Sequence, residues 1–258
     1  MISNELLKYY LWITLVPGIG PHMQRKLLAH FGNPKDIFSA SKEDYLQIKG
    51  IGDTLAQTFL SNKQLEKAER IIESCESQKI EILCIDDYRF WNRFKNIQDI
   101  PTILYCKGKI LNPTKSCGIV GPRKSNRDAR DLAIKTSLQC IKENYTIISG
   151  MAAGIDSYAH TAAIKNNSYT IAILGNGVDI CYPKEHIELY EQIAKSGLLL
   201  SAYPPGTKPE TYYFPERNKL IAALSDKLYV IAPNRNSGSL ITAKYAKQYN
   251  KPVEILYP

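Results

Sequence analysis

Five short stretches of this chain carry residue types suited to holding phosphate groups. GIVGPRK (118–124) ends an apolar run at Gly121 and then presents Arg123 and Lys124. SGMAAGID (149–156) offers Ser149, Gly150 and Gly154 ahead of a helical stretch containing Asp156 and His160. GNG supplies Gly175 and Gly177, and FPERNK supplies Phe214, Arg217, Asn218 and Lys219. SGSLIT supplies Ser237, Gly238, Ser239 and Thr242. Glycine lets a backbone approach a ligand closely, hydroxyls and helix N-terminal amides donate hydrogen bonds, and arginine grips phosphate in a fork. One such turn is commonplace, because strand-to-helix turns are glycine-rich. Five in succession point to one shared polyanion pocket. Pro122 is the awkward member, since it lacks the N–H that a phosphate turn would use.

Known chemistries with strict patterns are absent. No G-x-x-x-x-G-K-[ST] occurs, which excludes an ATPase P-loop, and no complete G-x-G-x-x-G follows a strand. Asp156 is the first carboxylate to consider as a catalytic group, but a helix N-cap after Gly154 accounts for it equally simply. His160 shares its helix face four residues on. His22, His30 and His186 form no metal-ligand spacing with the cysteines. No Ser-His-Asp arrangement can be assembled. The expectation is binding, with no catalytic residue, no metal and no cofactor.

The elements that must position these residues follow from hydrophobic period. Short β-branched runs at 80–85, 102–106, 117–121, 146–149, 170–175, 198–201, 228–232 and 253–257 read as strands. Helical stretches at 125–143, 156–166, 184–196, 214–224 and 239–249 alternate with them. The pattern predicts an α/β fold, a Rossmann-like, mainly parallel sheet with helices on both faces, whose ligand lies beyond the carboxyl ends of the strands. Residues 1–78 read instead as a small all-α domain, with helical spacing at 5–16, 21–31 and 62–75. Two similar turns, VPGIGPHMQRKLL (16–28) and IKGIGDTLAQTFL (48–60), each open an amphipathic helix in the manner of a helix-hairpin-helix. Such turns can offer amides to a DNA phosphate, contact another protein, or simply join packed helices.

Of 33 basic and 25 acidic residues, ten and nine fall in 1–79, so the excess belongs to the rest of the chain. A basic α/β domain favours an anionic partner, nucleic acid first. No run of about eighteen apolar residues spans a membrane, and MISNELLKYYLW has no export-signal pattern. Cys75, Cys84, Cys106, Cys117, Cys140 and Cys181 form no C-x-x-C pair and read as reduced, mostly buried residues of a cytoplasmic protein.

The same segments, in the order GIVGPR, SGMAAGIDSYAH, GNGVDICYP, FPERNKLIAALS and SGSLITAKYA, resemble the DprA/Smf DNA-processing family over about residues 100–252. The helical first part is similar to that family's accessory helix-hairpin-helix or SAM-like domain. The resemblance implies an extended Rossmann fold over 79–258 that binds single-stranded DNA and hands it to the RecA recombinase. It also implies a role in natural transformation and related recombination, as a homodimer, with no established catalytic activity. Carried over by position, the DNA site comprises Arg123, Gly150, Gly154, Phe214, Arg217, Asn218, Ser237, Gly238, Ser239 and Thr242. Arg123 and Arg217 would pair with phosphates, and Phe214 or Tyr213 would stack on a base.

Several positions depart from that pattern. Pro122 replaces a small hydroxyl residue, Thr211 a basic one, and Lys219 the final arginine, while Glu216 sits beside Arg217 and Ala232-Pro233 replaces Glu-Ala. The chain stops at Pro258, near where relatives continue and often add a winged helix, so the expectation is a copy without that domain and with part of its dimer surface missing. Two other readings stay open: a nucleotide-binding sensor or hydrolase on the same fold, and a partner-binding module. Against cleavage stands the loop NRNSGSLITA, which lacks the P-G-G-x-G-T-x-x-E carboxylate of nucleotide-cleaving relatives.

Overall fold

The computed structural model describes residues 2–235 and 237–258; Met1 and Asn236, the latter within the NRNSGS loop, lie outside it. Contacts divide the chain into two compact units, Met1–Leu104 and Tyr105–Pro258.

The first unit contains α1 (Asn4–Leu15), α2 (Pro21–Phe31), α3 (Pro34–Ser39), α4 (Lys42–Leu46), α5 (Asp53–Ser61) and α6 (Glu66–Ser77). After these come β1 (Glu81–Cys84), α7 (Asn92–Lys95) and the start of β2 (Ile103–Gly108). The two G-I-G turns adopt one geometry: Gly18 and Gly50 have positive φ, Ile19 and Ile51 are buried, and Gly20 and Gly52 cap α2 and α5. Each turn thus plugs an isoleucine into the core while reversing the chain between helices. That core holds Trp12, Leu27, Ile37, Tyr45 and Phe59, with Tyr45 stacked on Phe59 at 4.5 Å.

The first compact unit extends past the 78/79 boundary expected from the sequence, and buried polar contacts tie that extension to the helices. Arg25 of α2 is 8% exposed, and its guanidinium donates to the carbonyls of Phe94 (3.1 Å), Lys95 (3.0 Å) and Ile100 (3.1 and 3.3 Å). Thr102 donates to Gln24 at 2.8 Å, and the Tyr10 hydroxyl to Asp86. The stretch through 104 is therefore bonded to the helices, while β1 also pairs with β2 as the first strand of the sheet, as its sequence reads.

The second unit holds β3 (Ser116–Val120), β4 (Thr146–Ser149), β5 (Thr170–Leu174), β6 (Leu198–Ser201), β7 (Lys227–Ile231) and β8 (Val253–Leu256). Its helices are α8 (Arg127–Lys142), α9 (Ile155–Lys165), α10 (Ile187–Ser196), α11 (Tyr213–Leu224) and α12 (Gly238–Gln248). Strand order is β2-β6-β5-β4-β3-β7-β8, parallel throughout except where the end of β2 runs antiparallel to β6. Strands β3, β5 and β6 are buried at every residue, as a sheet covered on both faces requires. Helices α8, α9 and α10 pack together on one face, and α11 and α12 pack together on the other.

Chain direction reverses at β3. From β3 the strands step outward through β4, β5 and β6; α11 then returns the chain to place β7 on the other side of β3. The carboxyl ends of β3 and β7 therefore flank a topological switch point, where connections leave in opposite directions and open a crevice. Among the described residues, no helix is long and apolar enough to cross a membrane.

Replacing Arg25 by leucine leaves the carbonyls of Phe94, Lys95 and Ile100 without their donor. We expect the first unit to lose about 3 kcal/mol, read as a lower urea midpoint with an unchanged slope.

Candidate nucleic-acid interface

The crevice at the switch point is a cavity of about 570 Å³. Gly121, Arg123 and Lys124 line it from the end of β3, and Phe214, Arg217 and Asn218 from the start of α11. Ser237, Gly238, Ser239 and Thr242 line it from the start of α12. A second cavity of about 80 Å³ adjoins these residues, lined by Gly150, Gly175 and Tyr182 and sharing Arg123, Phe214 and Arg217. Residues 120–242, scattered in sequence, thus meet on one rim because parallel strands deliver all their ends to one side.

Arg123 and Lys124 are exposed on the turn after β3. The Arg123 guanidinium lies 5.1 Å from the centroid of the half-buried Phe214 ring, and that of Arg217 lies 5.8 Å from it. Tyr182, 39% exposed, lies 5.8 Å from the same ring. At the other wall, Ser237 caps α12: its hydroxyl contacts the Ser239 hydroxyl at 2.6 Å and accepts the Ser239 amide at 3.3 Å. Among the described residues, nothing lies within 4 Å of where a Cβ on Gly238 would stand, so the side-chain face of this helix start is open. Cationic side chains, a helix N-terminus and an aromatic face are the ingredients of a phosphate-and-base site.

Arg217 is not the phosphate fork expected from the sequence. It is 5% exposed, and its Nη1 donates to the carbonyls of Gly150 and Ile173 while Nε donates to Asn218 Oδ1 at 3.1 Å. Burial, with repulsion from Arg123, pushes its pKa down to about 10, so it remains charged at neutral pH. Its neighbouring countercharge is Asp156, whose buried carboxylate accepts the Gly150 amide at 3.1 Å. Asp156 therefore does not cap α9; Gly154 is the N-cap residue, and the carboxylate reaches back into the loop. Burial pushes the Asp156 pKa up, against the pull of Arg217. The signal for an inward Arg217 was present in sequence: it shares the i, i+3, i+4, i+7 stripe of α11 with Leu220, Ile221 and Leu224.

Other expected contacts are also taken up within the protein. A Cβ on Gly150 would stand 2.3 Å from Arg217 Nη1, so this glycine makes room for arginine and not for a ligand. Gly154, at φ +81°, lies under the β3 turn, where a Cβ would stand 2.4 Å from the Pro122 carbonyl oxygen. Ser149 is fully buried and donates to the Ile119 carbonyl at 2.5 Å. The Gly177 amide donates to Thr207 at 2.9 Å, and a Cβ on Gly175 would stand 2.9 Å from Phe214. Lys219 pairs with Glu216 at 2.8 Å, lies over Tyr245, and lines neither cavity. Sequence reading missed Ile241, which lines the larger cavity, and Tyr182, whose only signal was an aromatic following a glycine-rich strand end.

His160 is not placed to act as a base. It is fully buried, and its Nδ1 lies 2.8 Å from Thr170 Oγ1. That hydroxyl directs its one proton to the Ile147 carbonyl at 2.8 Å, so Nδ1 is the donor of the pair. Burial, reinforced by Arg217 and His186, pushes its pKa down to about 3.

Two outcomes follow. Gly150→Ala drives a methyl into the Arg217 guanidinium and should cost about 2–3 kcal/mol of unfolding free energy, measured in urea. His160 unfolds to an ordinary histidine of pKa 6.5 but titrates near 3 when folded. Its contribution is complete above pH 6.5 and is lost as pH falls toward 3, at up to about 1.4 kcal/mol per pH unit. His160→Gln should show a shallower acid loss of stability than the native chain across that window.

The family model for DNA recombination-mediator protein A matches residues 81–258, and a SAM-like helix-hairpin-helix tandem matches residues 13–60. Protein Smf of Synechocystis is 34% identical over 98% of this chain, which spans 65% of that relative's length. DNA processing protein A of Streptococcus pneumoniae superposes on 98% of this chain and 86% of its own, with a TM-score of 0.82 and 29% identity. DNA processing protein A of Helicobacter pylori, solved for its single-stranded DNA binding mode, covers 68% of this chain and 80% of its own, with a TM-score of 0.62 and 28% identity. With the tandem turns, the switch-point cavity and the family match over most of its length in agreement, this chain belongs to the DNA recombination-mediator protein A family, DprA/Smf.

Proposed function

We propose that this chain binds single-stranded DNA at the switch-point rim and serves as a DNA-processing protein in transformation and recombination. The observation that carries the reading is the grouping of exposed Arg123 and Lys124, the open N-terminus of α12 and the Phe214 ring around one 570 Å³ cavity. Arg123, Lys124 and the α12 amides hold phosphates, while Phe214 and Tyr182 present faces to unstacked bases. A duplex keeps its bases stacked on one another and cannot use those faces. The single-stranded DNA binding of the Helicobacter pylori relative supports the same reading.

We read the cavity as a site of binding. Its carboxylate, Asp156, is buried on the Gly150 amide beside Arg217, and His160 is sealed in the core with its pKa far below neutrality. Membership of the family extends the proposal to delivery of the bound strand to a RecA-type recombinase and to self-association as a homodimer.

Two substitutions separate the roles of the two arginines. Arg123→Ala removes an exposed phosphate contact and should weaken binding to a labelled oligonucleotide by roughly tenfold, with the log–log salt slope shallower by about 0.7. It should melt like the native protein, because Arg123 is exposed. Arg217→Glu should abolish binding by unseating the Gly150 loop and the end of β5 at Ile173, and should melt early. Anisotropy titrations over several salt concentrations decide the matter. Salt-independent binding, or unchanged affinity in Arg123→Ala, would sink this assignment.

A further inference from the structure

Away from the rim, two thiols meet in the core of the second unit. Cys117 lies near the start of β3 and Cys140 in the last turn of α8, and both are free and almost fully buried. Their sulfurs are 3.0 Å apart, inside the roughly 3.5–4.0 Å at which non-bonded heavy atoms settle. Ala129, Ala133 and Ile147 pack in the same cluster and hold strand and helix in place around the pair. Two cysteines filling a core as small apolar residues need no such approach.

We propose that Cys117 and Cys140 form an oxidative modification site, a thiol pair that closes to a disulfide when the folded protein meets hydrogen peroxide. The sulfurs need move only about 1 Å to reach bonding distance. Roles follow from the surroundings. Lys227 Nζ, over the Tyr145 ring at 4.2 Å and the Tyr229 ring at 5.2 Å, places positive charge near the pair, and Glu143 opposes it. The contact shared by the two sulfurs, together with burial, raises the Cys117 thiol pKa, and the same contact lowers that of Cys140. Cys140 is thus the sulfur that attacks.

In the first step the Cys140 thiolate takes one peroxide oxygen, giving a sulfenic acid and hydroxide, which collects a proton to become water. Cys117 sulfur then attacks the sulfenyl sulfur; the S–S bond forms, the S–O bond breaks, and the Cys117 proton leaves with the hydroxyl as a second water. Two thiols are oxidised by two electrons and one peroxide is reduced to two waters. The bridge closes a loop made of β3, the Gly121–Lys124 turn and most of α8, so it staples the element carrying Arg123. This inference goes beyond DNA binding and stands without it.

The test uses the full chain, folded and without DNA. After limiting peroxide and quenching, thiols are counted in denaturant and linked peptides are mapped by mass spectrometry. The expected result is loss of two of the six thiols and of two hydrogen masses, one linked peptide joining Cys117 to Cys140, and full reversal by dithiothreitol. Cys140→Ser should give no linked peptide and keep Cys117 as a thiol. Should that variant fail to fold, the native peptide map alone decides. Retention of all six thiols at a dose that oxidises the urea-unfolded chain would overturn the proposal, as would linkage through other cysteines or accumulation of sulfinic acids at this pair.

Discussion

A single buried guanidinium organises the functional end of the α/β unit. Arg217 enters from α11 on one face of the sheet and donates to the main-chain carbonyls of Gly150 and Ile173, where β4 and β5 end. Those carbonyls lie at strand termini, where the ladder no longer supplies donors, and a buried carbonyl without one is costly. The charge itself is tolerated because Asp156 lies near and accepts the Gly150 amide, so loop, strand end and helix start are bonded into one unit. The Gly150 loop, the end of β5 and the start of α11 take their positions from that unit.

The division of labour between the two arginines follows from this constraint. Arg217 sets the floor of the crevice, and Phe214, three residues earlier on α11, is thereby held beside both guanidinium groups. Arg123, on the turn supported by Gly154, remains at the surface with its charge available to a ligand. The inner arginine, almost wholly buried, keeps positive potential under the site, and the outer one makes the contact. Pro122 fits the same scheme. Its carbonyl lies against Gly154 and near the Ile155 amide, so the turn is braced by acceptor contacts that need no N–H from residue 122.

How far the site was legible depends on whether a residue's partner is local or distant. The Ser237 cap, the open Gly238 and the exposed Arg123 follow from strand-turn-helix chemistry, and their neighbours lie within a few residues. Gly150, Ser149 and Gly177 look the same in sequence, yet their partners are Arg217, Ile119 and Thr207, brought close only when strands align. Strand-end glycines serve chain-to-chain approach as readily as ligand approach, and no local pattern separates the two uses. The extent of the first unit was hidden for the same reason. Arg25 is one cation on an amphipathic helix until its three carbonyl partners, some seventy residues later, come into place.

Hydrophobic period and turn chemistry are local properties, and from them alone follow the class of fold, the alternation of strands and helices, the paired G-I-G turns and the set of segments that meet at one rim. Tertiary structure decided which of those residues face the cavity and which hold it together. It turned Arg217 inward, drew Asp156 away from a cap, and brought the sulfurs of Cys117 and Cys140 to 3.0 Å. Burial is the physical reason. A polar group in a covered sheet must find a partner wherever the fold places one, and that partner is set by topology, which no short stretch of the chain contains.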